Sequence, residues 1–428
     1  MMPLKRTARL RILVSAYACS PYQGSEPGVG WGFVHELARH HQLEVIVEDV
    51  KFRTEIERWQ KENPSDPAAQ IRFHYIEKKR NKWLRKIWPP SYYYYYRNWQ
   101  KKALKLAKKQ HSKQSFDLVH QLTMVGFREP GYLWRLPIPF VWGPFGGAGH
   151  FPLKFLPYVG LHATIYYLCY NLINSLHVLT KFRVHLAAHR AGIGLIAATN
   201  ENRQIAQKYW LCDATVMSEV GMSGELCTPP KSRKLTEPLR LVWSGQHIPR
   251  KALNLGLDGL SYLPPDCHWE LHVLGKGKQT EQWQEKAKRL GIADKCHFHG
   301  SIPHKKALKI TSQAHVALIT SLRDLTSTVT VEALGMGLPV VAPSHCGFSD
   351  IIDEKCGFLV PVNKPRAMVL GITNAVLRLH NDESLRFRMA QCAYERAEMF
   401  TWYNKCNKLN ILYRTCLDHS ESNVSFDA

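Results

Sequence analysis

Short apolar runs recur along the chain at intervals that suit the buried strands of a parallel sheet. In the amino-terminal half they fall at 12–18, 43–47, 71–76, 118–120, 139–142 and 195–198. Helical or loop-like segments separate them, as parallel crossovers require. A second series begins at 241–245 (LVWSG) and continues through 269–277, 297–303, 315–320, 338–342 and 357–361. Between the two series, residues 222–237 carry Pro229, Pro230 and a basic cluster, which reads as a linker. The pattern predicts an α/β protein: a domain over 1–220, a linker over 221–238 and a second domain over 239–398. A last helix is expected over 399–417, with a loose polar tail at 418–428.

One stretch departs from this alternation. Residues 155–180 contain no Asp, Glu, Lys or Arg, which raises the question of a membrane span. Pro157, Gly160, His162, Asn171, Asn174 and His177 would be costly in hydrocarbon. Leu161, Ile165, Leu168, Leu172, Leu176 and Leu179 recur at helical spacing with polar groups opposite, so an amphipathic helix at an interface or in a core is expected.

Length and charge sharpen the picture. With 428 residues the chain suits two domains. Its eleven cysteines contain no C-x2-C pair, which argues against a zinc site or disulfide framework and fits a reducing cytosol. The first residues lack a signal-peptide pattern: the apolar run at 12–18 is short and leads into a turn-rich loop. The net charge of +22 is uneven, with 31 Lys plus Arg against 15 Asp plus Glu in residues 1–220. Residues 78–114 hold thirteen Lys or Arg, no acid, Tyr92 to Tyr96, and Trp83, Trp88 and Trp99. A solvated basic face and nucleic-acid stacking are both compatible with this. An anionic membrane surface accounts for more of it, because it attracts Lys and Arg while Trp and Tyr favour the interface. Peripheral docking to a membrane is therefore expected, and no nucleic-acid partner.

The candidate chemistry concentrates at 321–342, SLRDLTSTVTVEALGMGLPVVA. A strand, a polar loop, a helix from 329 to 334 and another strand make one unit of a parallel sheet, and such sheets bind ligands at the carboxyl ends of their strands. Asp324 lies on the loop and Glu332 on the helix. Thr326, Ser327 and Thr328 supply hydroxyls, and the free N–H groups of a new helix suit a phosphate. The set fits a phosphorylated polyol, although two acids at this spacing also fit ordinary surface positions. Three further phrases stand out. Gly24–Gly32 (GSEPGVGWG) places Gly28 and Gly30 in a loop before a helix at 33–40, where a tight turn or a close ligand approach would each use glycine. His120 ends a strand, as a core histidine or a site residue. Gln246, Arg250 and Lys251 follow the strand at 241–245, where cations would neutralise a leaving diphosphate.

These phrases together resemble the retaining family-4 (group 1) glycosyltransferases of the GT-B fold. Residues 324–332 resemble the family's E-x7-E element, with Asp324 in place of the first Glu, and EALGMGLPVVA resembles its EAMA-x-G-x-PVV pattern. GSEPGVGW, FDLVHQLT, PFVWGPFGG, LGKG and FHGSIP are similar to further family phrases. Gln246–Lys251 resembles G-R-x4-K-G, with Gln246 in place of the arginine and Arg250 as a neighbouring substitute.

The resemblance implies two Rossmann-like domains whose parallel sheets face an interdomain cleft. It implies Glu332 on a nucleotide ribose, Lys251 and Arg250 on the phosphates and Asp324 on the donor sugar. Gly275 and Ile302 would lie in turns that present backbone to the base, and His120, Gly28 and Gly30 near the donor sugar. The expected function is a retaining hexosyl transfer from a nucleotide-diphosphate sugar to a glycan or lipid-linked acceptor, of the kind used for bacterial surface polysaccharide. No cofactor is expected, and no metal, since the chain has no D-x-D. The rival readings are a degenerate GT-B protein that binds membrane or nucleic acid through 78–114, and a nucleotide-sugar epimerase.

Overall fold

The computed structural model describes residues 9–224 and 228–426, with side chains described to residue 420. The chain divides into two compact units: residues 1–148, 176–221 and 402–428 form the first, and 149–175 with 222–401 form the second.

The first unit is built on a seven-stranded sheet in the order β3-β2-β1-β4-β5-β6-β7. Its strands are β1 (Arg11–Ala16), β2 (Gln42–Glu48), β3 (Arg72–Ile76), β4 (Leu118–Thr123), β5 (Phe140–Phe145), β6 (Leu195–Ala197) and β7 (Thr215–Val216). All neighbours are parallel. β1, β4 and β5 are buried along their whole length, which is why they read as continuous apolar runs rather than as alternation. The six runs predicted for this half are all strands; the two-residue β7 is too short to leave a pattern.

The second unit has a six-stranded parallel sheet in the order β10-β9-β8-β11-β12-β13. It comprises β8 (Leu239–Ser244), β9 (Trp269–Leu274), β10 (Cys296–Gly300), β11 (Val316–Leu318), β12 (Val340–Pro343) and β13 (Gly357–Val360). In this sheet the chain adds β9 and β10 on one side of β8, then returns to add β11 on the other. That reversal leaves a crevice outside the carboxyl ends of β8 and β11, the place where open α/β sheets hold ligands. In the first unit the same reversal falls between β1 and β4.

Several local expectations need correction. The helix after β1 is Ser25–Leu37, so Gly28, Gly30 and Gly32 lie within it instead of in a preceding loop. Glycine normally weakens a helix interior, but here tertiary contact requires it: a Cβ on Gly30 would sit 2.1 Å from the Ala18 carbonyl oxygen, and one on Gly32 would sit 2.2 Å from the Trp402 ring. The basic stretch forms two helices, Lys82–Ile87 and Ser91–Lys113. Its aromatics divide between roles: Tyr96 and Trp99 are core residues, while Trp83, Trp88 and Tyr94 are exposed. Trp99 is anchored by its Nε1–H, which donates to the Ile76 carbonyl at 2.8 Å.

Residues 149–175 belong to the second unit rather than the first, because Phe151, Phe155, Leu156, Val159 and Tyr167 pack into the second unit's core. The apolar stretch forms the single helix Leu161–Thr180. No helix among the described residues is long and apolar enough to cross a membrane. The last helix runs Trp402–Phe426, through most of the segment expected as a loose tail, and belongs to the first unit. Among the described residues all cysteines are free.

Candidate functional site

The candidate site is built where the second sheet reverses. The loop after β8 and the loop after β11 are stitched together by their backbones. Leu322 N–H donates to the Arg250 carbonyl at 2.8 Å, and the Thr320 hydroxyl donates to the Lys251 carbonyl at 2.6 Å. Thr320 Oγ1 in turn accepts from Trp243 Nε1 at 2.9 Å, so the loop is tied to a tryptophan of the core. These bonds explain why the side chains of Arg250, Lys251 and Asp324, distant in sequence, converge.

Lys251 Nζ donates to Asp324 Oδ2. Arg250 Nη1 lies 3.4 Å from Asp324 Oδ1 and donates to the Arg323 carbonyl at 2.6 Å. Two cations thus share one carboxylate, and the group keeps an excess positive charge suited to a diphosphate. The backbone turns that hold it are tight. Ala252, at the start of the following helix, has φ +44, and Ser327, before the next, has φ +106. Non-glycine residues rarely hold such angles without a surrounding structure that enforces them.

The helix after that loop is Thr328–Gly335, close to the predicted span. Thr326 is fully buried, while Ser327 and Thr328 are partly exposed at the helix start. Glu332 lies one turn into the helix, where Oε1 meets His304 Nε2 at 3.1 Å. Bonding to Glu332 raises the His304 pKa above its ordinary value. His304 was not anticipated from sequence, since an isolated histidine near a helix start carries no signal.

The turns after β9 and β10 complete the floor. Gly275 has φ +111, and a Cβ there would lie 2.0 Å from the Gly245 carbonyl oxygen; only glycine lets these two strand-end loops approach so closely. Gly275 N–H donates to the Gly300 carbonyl at 2.9 Å, and Ile302 lies just beyond, partly exposed. Gln246 is exposed. A further neighbour comes from residues 149–175: the Arg323 guanidinium lies 3.7 Å from the centroid of the Tyr170 ring. The apolar pattern of 155–180 gave no hint that one of its tyrosines stacks beside the loop after β11.

The expected residues of the first unit behave differently. His120 is fully buried. Its Nε2 donates to the Gly143 carbonyl at 2.8 Å, and its Nδ1 accepts from the Tyr413 hydroxyl at 2.7 Å. Burial pushes its pKa down to about 4, so the ring is neutral with both nitrogens engaged. In this geometry it offers nothing to a sugar hydroxyl. Gly28 and Gly30 face backbone: a Cβ on Gly28 would lie 2.6 Å from the Gln23 carbonyl oxygen. Both therefore pack tightly against neighbouring backbone from within the helix.

Comparison with known proteins fits this geometry. Residues 228–396 match the family described as Glycosyl transferases group 1. The D-inositol 3-phosphate glycosyltransferase of Corynebacterium urealyticum is 31% identical over 133 residues, which cover 31% of this chain and 30% of that protein. The lipopolysaccharide glucosyltransferase WaaG of Escherichia coli (strain K12) is 25% identical over 123 residues, 28% of this chain and 32% of that protein. The matched stretch thus spans about a third of these relatives' length.

Among solved structures, sucrose-phosphate synthase from Thermosynechococcus elongatus aligns over 96% of this chain and 100% of its own, with TM-score 0.62 and 16% identity. Anabaena Alr3699/HepE in complex with UDP aligns over 95% of this chain and 100% of its own, with TM-score 0.61 and 15% identity. At such identities the likeness speaks to the fold, which is GT-B.

Proposed function

We propose that this chain, which belongs to the group 1 (family-4) glycosyltransferases through residues 228–396 and has the GT-B fold, transfers a sugar from a nucleotide-diphosphate donor. The observation that carries this reading is the convergence of Lys251 and Arg250 on Asp324 at the switch point of the second sheet. The donor diphosphate competes with Asp324 for the Lys251 ammonium, and a released Asp324 turns to a sugar hydroxyl. Glu332 accepts from the ribose in place of His304. As the glycosidic bond to the diphosphate breaks, negative charge grows on the leaving oxygen, and fixed cations stabilise that charge without reorganising. The resemblance to the group 1 family supports a retaining transfer, and the UDP held by the Anabaena protein makes UDP the first nucleotide to try.

The acceptor in this reading is a lipid-linked or surface glycan, as the lipopolysaccharide transferase suggests. Labelled UDP- and GDP-sugars mixed with a bacterial lipid extract test it. Label enters the organic phase only with the protein present, and EDTA leaves the rate unchanged. Donor consumed at the same rate without any acceptor would instead favour an epimerase.

The Leu161–Thr180 helix supports work at an anionic phospholipid surface. Leu161 and Leu172 are 77% and 64% exposed, and Ile165, Leu168, Leu176 and Leu179 are exposed with them. Lys154 and Lys181 flank this uncharged face along the chain, and cations near an anionic surface contribute about 1 kcal/mol each. Apolar insertion with basic flanks is the pattern of a helix lying in the interface. The protein is expected to float with anionic vesicles and to stay behind with zwitterionic ones. Leu168→Lys combined with Leu172→Lys abolishes flotation; a variant that floats like the parent removes this part of the reading.

A further inference from the structure

Lys78 stands apart from the other basic residues of its stretch. It follows β3 at the carboxyl end of the first sheet, the residue is only 4% exposed, and its ammonium is packed against aromatic rings, with no carboxylate in ion-pair contact among the described residues. Its ammonium lies 3.5 Å from the centroid of the Tyr92 ring and 5.2 Å from that of Tyr17. A buried cation without a counter-ion is costly, and aromatic faces offset only part of that cost.

The surroundings add cost instead of relieving it. Lys51, Arg80 and Arg85 all act on Lys78 with like charge. The nearby carboxylate, Glu48, is held by Arg80 Nη2 at 2.7 Å and by the Lys51 N–H. Burial, with these neighbours behind it, pushes the Lys78 pKa down to about 7. Glu26, which also acts on Tyr92, is driven by burial toward its neutral form. The carboxylate that acts on Lys78, Glu48, is thus already shared with Arg80.

Topology places it where a ligand belongs. Tyr17 follows β1 and Met124 follows β4, the two strands between which the sheet order reverses. The Tyr92 hydroxyl lies 3.2 Å from Met124 Sδ, and the Tyr17 ring packs edge-on against Tyr96. Tyr92 also sits in the first turn of the Ser91–Lys113 helix, whose amino end favours negative charge.

We propose that Lys78, with the Tyr17 and Tyr92 hydroxyls, forms an anion subsite in the first unit that receives a phosphoryl group carried by the acceptor. Several cations around one buried ammonium suit a multiply charged phosphoryl group better than a single carboxylate. The word acceptor rests on the transferase reading above; the anion subsite does not.

Inorganic pyrophosphate titrated into the Lys251→Ala protein reads this site without the donor cations. Binding is expected there, and Lys78→Met added to that background weakens it roughly ten- to a hundredfold. The Lys78→Met protein melts at the same or a higher temperature, because an unpaired buried charge has been removed. A lower melting temperature with unchanged pyrophosphate affinity would make Lys78 structural and overturn the proposal, as would the absence of binding in the Lys251→Ala protein. Should the variant fail to fold, acylation of Lys78 in the Lys251→Ala protein gives the same answer: pyrophosphate protects it if the subsite exists, and equal labelling overturns it. Decyl diphosphate binding more tightly than pyrophosphate assigns the anion to an acceptor with an apolar tail. The reverse order assigns a free anion and overturns that part. Nucleotide-sugar affinity measured in the Lys78→Met single variant reads the donor site separately, so a failure of the transferase reading shows there and not in the pyrophosphate titration.

Discussion

Lys251→Ala is expected to lower the rate of sugar transfer by roughly a hundredfold to a thousandfold, the usual range for removing one fixed group that stabilises developing negative charge. Two losses combine in that number. The leaving diphosphate forfeits its nearest ammonium, and Asp324, left with Arg250 at 3.4 Å as its cationic partner, presents an undercompensated carboxylate toward an incoming anion. Lys251→Arg restores charge but not shape, since the guanidinium is a planar fork and the ammonium a compact point, so partial recovery is expected. The measurement is single-turnover transfer with each variant. A loss of donor affinity without any loss of single-turnover rate would mean that Lys251 binds the ground state and has no share in the transition state.

Gly30→Ala is expected to destabilise the first unit by about 2–4 kcal/mol, near the upper range of single substitutions. The added Cβ would meet the Ala18 carbonyl oxygen at 2.1 Å, and a strand-end backbone cannot move aside as a flexible side chain can. Urea unfolding checks this directly. If the glycine instead served a ligand's approach, the variant would keep its unfolding midpoint and lose activity alone. The two outcomes separate packing from binding at a position where the sequence left both open.

That ambiguity marks the limit of what the chain discloses before it folds. The strands were legible because buried parallel strands are runs of Val, Ile and Leu, as in β1 and β2. The loop after β11 and its helix were legible because Asp324 and Glu332 lie within one short segment and follow a strand. The Gly-rich phrase misled because its three glycines read locally as a loop, whereas contact with Ala18, Gln23 and Trp402 makes them a helix. His120 looked like a site residue because its partners, Gly143 and Tyr413, lie far along the chain. The apolar run at 155–180 signalled a helix, but hydrophobicity alone does not say which core accepts Phe151 and Tyr167. Lys78 was one of thirteen basic residues in its stretch; only the fold distinguishes a caged ammonium from a solvated one.

The most direct test of the central claim is a calorimetric titration of UDP, GDP and their common sugar conjugates into the wild-type protein and into Glu332→Ala. Selective binding to one nucleotide is predicted, weakened roughly ten- to a hundredfold in the variant, as the loss of one charge-assisted hydrogen bond implies. Binding of none of these compounds, or binding that Glu332→Ala leaves unchanged, would contradict a nucleotide-sugar site in the second unit.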